Sequence, residues 1–151
     1  MGAFDQHFAF CKLSNESIVR IKFDDTVFPH YFLKMFEKTD CFLLLYNIAD
    51  KKSFEKCSYL KEIVISKCEN CKNVILIGNK KDTIRDVSFE EGENFAKSNN
   101  YPFFEVSCAQ NENIVEAMEM AIDLSLKNKK INKDEEPLKQ EKSKKKNCIA
   151  Q

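Results

Sequence analysis

Glycine is scarce in this chain of 151 residues: Gly2, Gly78 and Gly92 are its only three. None is followed by Lys-Ser or Lys-Thr. The chain therefore contains no loop of the Gly-x-x-x-x-Gly-Lys-Ser/Thr kind, whose backbone N–H groups cradle phosphates. Long apolar runs are missing too. No stretch approaches the roughly 20 residues that a membrane-crossing helix needs, and the N-terminus has neither a basic flank nor an apolar signal region. Met1-Gly2 resembles a myristoylation start, but Gln6 stands where serine or threonine is required, which excludes that reading. Histidine is limited to His7 and His30, so Cys68-x-x-Cys71 has few partners with which to complete a four-ligand zinc site, and no second cysteine pair exists for it. A loop between a helix and a strand is the simpler reading of that pair.

Net charge is also absent, but its zero total hides an uneven spread. From Lys127 to Lys146 nine lysines stand against Asp134, Glu135, Glu136 and Glu141, and the body before them is correspondingly acidic. A basic tail on an acidic body suits an anionic membrane surface and disfavours nucleic acid, which would call for a basic body. Residues 129–147 are too poor in apolar side chains to fold and are expected to form a flexible tether. They lead to Cys148-Ile149-Ala150-Gln151, a prenylation box with Lys144, Lys145 and Lys146 just upstream. One prenyl chain holds a membrane marginally, and the lysine cluster supplies the second signal. The bland alternative is a cysteine three places from the terminus by chance. The box implies a prenyltransferase as partner and the cytoplasmic face of a membrane as location. In that compartment the seven cysteines are expected as free thiols rather than a disulfide framework. The expected division is a folded domain over residues 1–128 and a polybasic tail over 129–151.

The body alternates strand and helix signals. Ile18–Phe23 has the mixed faces of a strand. Cys41–Ile48 is a continuous apolar run, as expected of a strand covered on both faces, and Asn73–Gly78 is another. Pro102–Val106 is a shorter one. Phe54, Tyr59, Leu60, Ile63 and Val64 mark one helical face, and Phe89, Phe95 and Ala96 mark a second. Ile114, Ala117, Met118, Ala121, Ile122 and Leu126 mark a third, with Asn111 or Asn113 placed to cap it. Strands separated by helices predict a parallel α/β sheet with right-handed crossovers, and ligands in such sheets sit beyond the carboxyl ends of the strands.

At those ends stand Asn79-Lys80-Lys81-Asp82 and Glu105-Val106-Ser107-Cys108-Ala109. Here the chain resembles the small GTP-binding proteins of the Ras superfamily, whose Asn-Lys-x-Asp motif follows one strand and whose Ser-Ala-Lys-like motif follows the next. Leu43–Glu55 resembles the family's fourth strand and following helix, and the resemblance runs from Phe42 to the end. It implies a Ras-like, P-loop-NTPase-type doubly wound sheet, truncated at its N-terminus, with GTP or GDP as ligand. Carried across, Asp82 would accept the guanine N–H groups and Asn79 would brace the loop. The stem of Lys80 would cover the base, while Ser107 and the backbone N–H of Cys108 would face the guanine carbonyl. A carboxylate there rejects adenine by leaving wrong partners unpaired. Ala109 departs from the family, which usually has a base-covering lysine at that place.

Gly2–Leu13 would correspond to the family's second strand and Ser17–Phe23 to its third. The absent first strand would lie between that third strand and Cys41–Ile48, so these two either pair directly or each keep an open edge. Asp25-Thr26 matches the start of the family's Asp-x-x-Gly motif, but Val27-Phe28-Pro29 follows. A surface turn aspartate is the simpler reading of Asp25 than a magnesium ligand, as a loop histidine is of His30. The thirteen phenylalanines, several within Phe28–Phe42, are expected in the core rather than in a partner-binding stripe. A Rab-like branch is favoured over Ras by the Gly2–Phe8 segment, and the short Asn79–Ser88 connection excludes the insert of the Rho branch. The expected function is a membrane-anchored switch in vesicle traffic or signalling, with Rab or Ras regulators and effectors as partners. Magnesium-dependent GTP hydrolysis would belong to a full-length relative and be negligible in this chain. The alternatives are a nucleotide-independent, membrane-tethered interaction protein or an incomplete gene product.

Overall fold

The computed structural model describes residues 7–12, 18–23, 39–67 and 73–128. Asp25, His30, Cys68, Cys71, Phe28, Phe32, Phe36 and the whole of 129–151 with Cys148 lie outside the described residues. Two strands, β1 (His7–Lys12) and β2 (Ile18–Phe23), pair antiparallel with His7 opposite Phe23 and Lys12 opposite Ile18. The remaining elements are β3 (Phe42–Asn47), α1 (Lys51–Lys67), β4 (Val74–Asn79), α2 (Phe89–Asn99), β5 (Phe103–Glu105) and α3 (Ile114–Asn128). β3, β4 and β5 form a parallel sheet in that order, with Leu44 beside Leu76 and Leu76 beside Phe103. The helix that follows each of β3 and β4 returns the chain to the same end of the sheet, which makes its neighbours parallel.

β4 is the centre, and its residues 74–78 are all buried. Its side chains alternate between two cores, as strand pleating requires. Val74 and Leu76 join Leu44, Tyr46, Cys57, Val64 and Ala96 beneath α1 and α2. Ile75 and Ile77 join Val106, Ala117 and Ala121 beneath α3. The parallel α/β sheet expected from the sequence is therefore present, with helices over both of its faces.

β3 corrects one expectation. It was read as covered on both faces, yet Leu45 is 54% exposed while Leu44 and Tyr46 are buried. α3 packs over β4 and β5, and its partners on β3 reach only as far as the half-buried Leu43. Nor do β2 and β3 pair: among the described residues they belong to separate sheets, and the only strand beside β3 is β4. Phe42 and Ile48 donate toward β4, so by alternation Leu43, Leu45 and Asn47 turn their backbone groups outward. Asn47 N–H is satisfied by Ser53 Oγ at 2.9 Å.

Helix starts are closed by side chains from two directions. Asp50 Oδ1 accepts from Lys52 N–H and Asp86 Oδ2 accepts from Lys51 N–H, each at 3.0 Å, which satisfies two of the unpaired donors that open α1. Ser88 and Glu91 form a reciprocal capping box on α2. At α3 the outcome differs from the sequence reading. Asn113 opens the helix with its carbonyl, but its side-chain amide donates to Glu105 O at 2.9 Å instead of capping. The amide satisfies the carbonyl of Glu105, a buried residue at the end of β5.

Candidate functional site

The two polar motifs stand side by side because β4 and β5 are adjacent and parallel, with Gly78 beside Glu105. Val106 N–H donates to Gly78 O at 2.8 Å and Lys81 N–H donates to Val106 O at 3.0 Å, so the two loops leave the sheet already joined.

Asn79 is the junction. Its Oδ1 accepts from Lys80 N–H at 2.7 Å and from Cys108 N–H at 3.3 Å, leaving its Nδ2 without a partner among the described residues. Lys80 lies in the left-handed region at φ 67, which costs a residue with a Cβ about 1 kcal/mol. That conformation is held by Asn79 on one side and on the other by Lys80 O, which accepts Thr83 N–H at 2.9 Å and Thr83 Oγ1 at 2.7 Å. Lys80 and Asp82 are exposed at the loop surface.

Ser107 is fully buried. Its hydroxyl donates to Asp82 Oδ1 and accepts from Gln110 N–H at 3.1 Å. Its backbone makes a two-way bridge with Glu112, closing the 108–111 turn with distances of 3.2 and 3.0 Å. The turn needs left-handed backbone at Asn111 (φ 55) and Asn113 (φ 56), and asparagine is the non-glycine residue that best tolerates it. Lys81 pairs with Glu112 across the base of the turn. Ala109 and the Cys108 thiol stand exposed beside Asn79.

One carboxylate oxygen of Asp82 and the amide nitrogen of Asn79 have no partner among the described residues, and the Cys108 N–H is held only by a long bond. No group of three or more His, Cys, Asp or Glu arranged for a metal is found among the described residues.

A sequence model of the Ras family matches residues 20–127. The chain belongs to the Ras family. It is 30% identical over 111 residues to the Ras-related protein RabC of Dictyostelium discoideum, covering 70% of this chain and 57% of that protein. Ras-like protein 1 of Saccharomyces cerevisiae is 39% identical over 79 residues, covering 50% and 26% of the two chains. The GTP-binding protein RAD of Rattus norvegicus is 36% identical over 77 residues, covering 50% and 25%. The Ras-family chain described here thus spans little more than half the length of RabC and about a quarter of the other two.

Sequence reading named Asn79, Lys80, Asp82, Ser107, Cys108 and Ala109, and the fold brings all six to one end of the sheet. It missed what fixes them. Arg85 Nη1 and Nη2 donate to Glu105 Oε1 and Oε2 at 3.1 and 3.0 Å, a bidentate pair in which the Glu105 side chain is 4% exposed. The guanidinium is held above its ordinary value chiefly by that hydrogen bond. A carboxylate inside an otherwise apolar strand, Phe103-Phe104-Glu105-Val106, was the available signal. It also missed Asp86, whose backbone N–H donates to Ile48 O at 2.9 Å while its carboxylate closes α1.

Proposed function

We propose that this Ras-family chain is a Rab- or Ras-like guanine-nucleotide-binding protein held on the cytoplasmic face of a membrane by prenylated Cys148. The observation that carries the nucleotide reading is the Asp82–Ser107–Asn79 cluster at the carboxyl ends of two adjacent parallel strands. In this reading Asp82 accepts from the guanine edge, Asn79 donates from its free amide, and the Cys108 N–H takes the guanine carbonyl. Cys108 N–H must then leave Asn79 Oδ1 or share it, which its 3.3 Å bond makes inexpensive. The exposed Lys80 stem covers the base, and Ala109 adds little to it.

The sequence supplies no phosphate-cradling loop, so binding rests on base contacts. Affinity is expected no better than roughly millimolar, with hydrolysis negligible. Titration of residues 1–151 with a fluorescent GTP analogue tests this. Submicromolar, magnesium-dependent binding would overturn the reading that base contacts act alone. The nucleotide-independent tethered protein remains the second reading, and it is favoured if guanine nucleotides leave the Asp82 and Cys108 amides unshifted in an NMR titration.

For the anchor, the support is the box at Cys148 with Gln151, which favours farnesyl, and the lysines before it. Each lysine near an anionic leaflet is worth roughly 1 kcal/mol. Cys148→Ser should release a tagged chain to the cytosol, whereas neutralising Lys142 and Lys144–Lys146 should leave weak, salt-insensitive attachment. Unchanged membrane association of Cys148→Ser would refute the anchor. No helix among the described residues is long and apolar enough to cross a membrane.

A further inference from the structure

We infer that Arg85 and Glu105 are positioning residues that set the guanine selectivity of this site, although neither is placed to touch a ligand. The inference rests on the guanine reading above and deepens it.

The geometry is a closed ring. Asp82 and Arg85 lie on the loop after β4, three residues apart; Ser107 and Glu105 lie on the segment ending β5, two residues apart. Ser107 joins Asp82, and Glu105 joins Arg85 through both guanidinium nitrogens. The carboxylate that would read the base is therefore fixed at two points, once directly and once through the backbone between residues 82 and 85. Arg85 Nη1 also lies 3.4 Å from Val87 O, which ties the pair to the loop's far end. There Asp86 and Val87 donate to Ile48 O at 2.9 and 3.0 Å.

Glu105 anchors the second loop as well. Its carbonyl accepts the Asn113 amide at 2.9 Å, so one residue holds the start of the 105–113 segment by its side chain and the end by its backbone. A surface ion pair would contribute little to such order. This one differs because the carboxylate is almost fully enclosed and both of its oxygens are used, which a flexible lysine could not reproduce.

On the rim the backbone of Lys80 and Lys81 is held by hydrogen bonds, but the Asp82 side chain is held less firmly. Asp82 is exposed, and Ser107 is its one hydrogen-bond partner among the described residues. A single hydroxyl contact leaves the carboxylate free to swing about that bond. The second tie, at Arg85, fixes the backbone that carries Asp82 and with it the place from which the outer oxygen is offered. Selectivity between guanine and a base lacking the 2-amino group depends on that placement, because the amino group is one of the two donors Asp82 would accept.

The test compares GMP with IMP, which lacks the 2-amino group, by NMR titration of the full chain, following the Asp82 and Cys108 amides. Wild type is expected to favour GMP by about tenfold or more, the effect of one hydrogen bond to a charged group. Arg85→Gln is expected to bring that ratio close to one, and Arg85→Lys to leave it in between. A role in stability alone would lower both affinities together through the folded fraction and leave the ratio intact. Where Arg85→Gln does not fold, Arg85→Lys and the pair Arg85→Gln with Glu105→Gln, which restores hydrogen bonding without charge, give the same comparison. A wild-type ratio retained in the folded variants overturns the positioning role while sparing the guanine site. A wild type that binds neither nucleotide, or both equally, overturns the guanine reading and the inference with it.

Discussion

Replacing Gly78 by alanine probes the strand that carries the site. Backbone entropy favours the change: alanine in place of a strand glycine gains about 0.4–1 kcal/mol where the conformation permits it, and Gly78 has no positive φ to protect. Packing opposes it. A Cβ at Gly78 would lie 2.7 Å from Tyr46 Oη, 2.8 Å from Tyr46 Cζ and 3.1 Å from Ile48 Cγ1. Tyr46 is 3% exposed and Ile48 is fully buried, so neither turns out into solvent. Retreat across the core is blocked as well. The tyrosine hydroxyl faces Gly92 on α2, where a Cβ would also come within 2.7 Å of it, and its ring packs at 4.9 Å on Phe54. Two of the chain's three glycines thus admit one tyrosine.

Overpacking a filled core costs about 1–3 kcal/mol, which exceeds the entropic gain and leaves Gly78→Ala less stable by about 1–2 kcal/mol. Urea denaturation followed by far-UV circular dichroism measures this. Tyr46→Leu removes the opposing ring atoms, so in that background Gly78→Ala should cost at least about 1 kcal/mol less, a coupling well outside additivity. A Gly78→Ala protein as stable as wild type, or an equal cost in both backgrounds, would refute the account. At Gly92 a Cβ would meet Phe103 Cζ at 2.6 Å as well as Tyr46 Oη at 2.7 Å, so the gain of about 1 kcal/mol for alanine within a helix should only partly offset the overpacking of Gly92→Ala.

Three further outcomes are expected. Lys80→Asn should stabilise the fold by roughly 0.5–1 kcal/mol, because asparagine accepts left-handed backbone, yet weaken guanine binding by removing the covering stem; a parallel change in both would refute the assignment. Glu91 is held down from 4.5 to about 2, chiefly by its hydrogen bond from Lys51 and then by those from Ser88. A folded value below the unfolded one adds stability above about pH 4.5 that is lost as pH falls toward 2. Glu91→Gln should therefore melt below wild type near neutrality and converge with it near pH 2, and a constant gap across that window would refute the linkage. Leu45→Lys places a charge on the outward β3 residue and should raise the concentration at which light scattering detects aggregates while leaving stability within about 0.5 kcal/mol; unchanged scattering would exclude the β3 edge as the route.

What was legible in the sequence divides along physical lines. Residues 74–78 announced a fully buried strand by being apolar without a break, and all five are buried. The same signal misled at β3. An unbroken apolar run records that a strand is hydrophobic on both faces, not that both faces find cover, and cover depends on which helix happens to lie above. The polar motifs were readable because a parallel sheet gathers the ends of its strands at one edge, so their positions followed from topology alone. Their support was not. Arg85 and Glu105 are separated by 20 residues, and their pairing depends on β4 and β5 lying side by side. Within the strand, Glu105 still stood out as a charge among apolar neighbours. A buried carboxylate without a counter-charge is untenable, so such a residue identifies a missing partner before the structure names it. In the same way the scarcity of glycine pointed outward to an absent phosphate loop, while the two internal glycines pointed inward. They stand where Tyr46 needs space, and Gly78 immediately precedes Asn79. The polar junction of the site therefore follows a strand residue that must lack a side chain so that Tyr46 can pack against it.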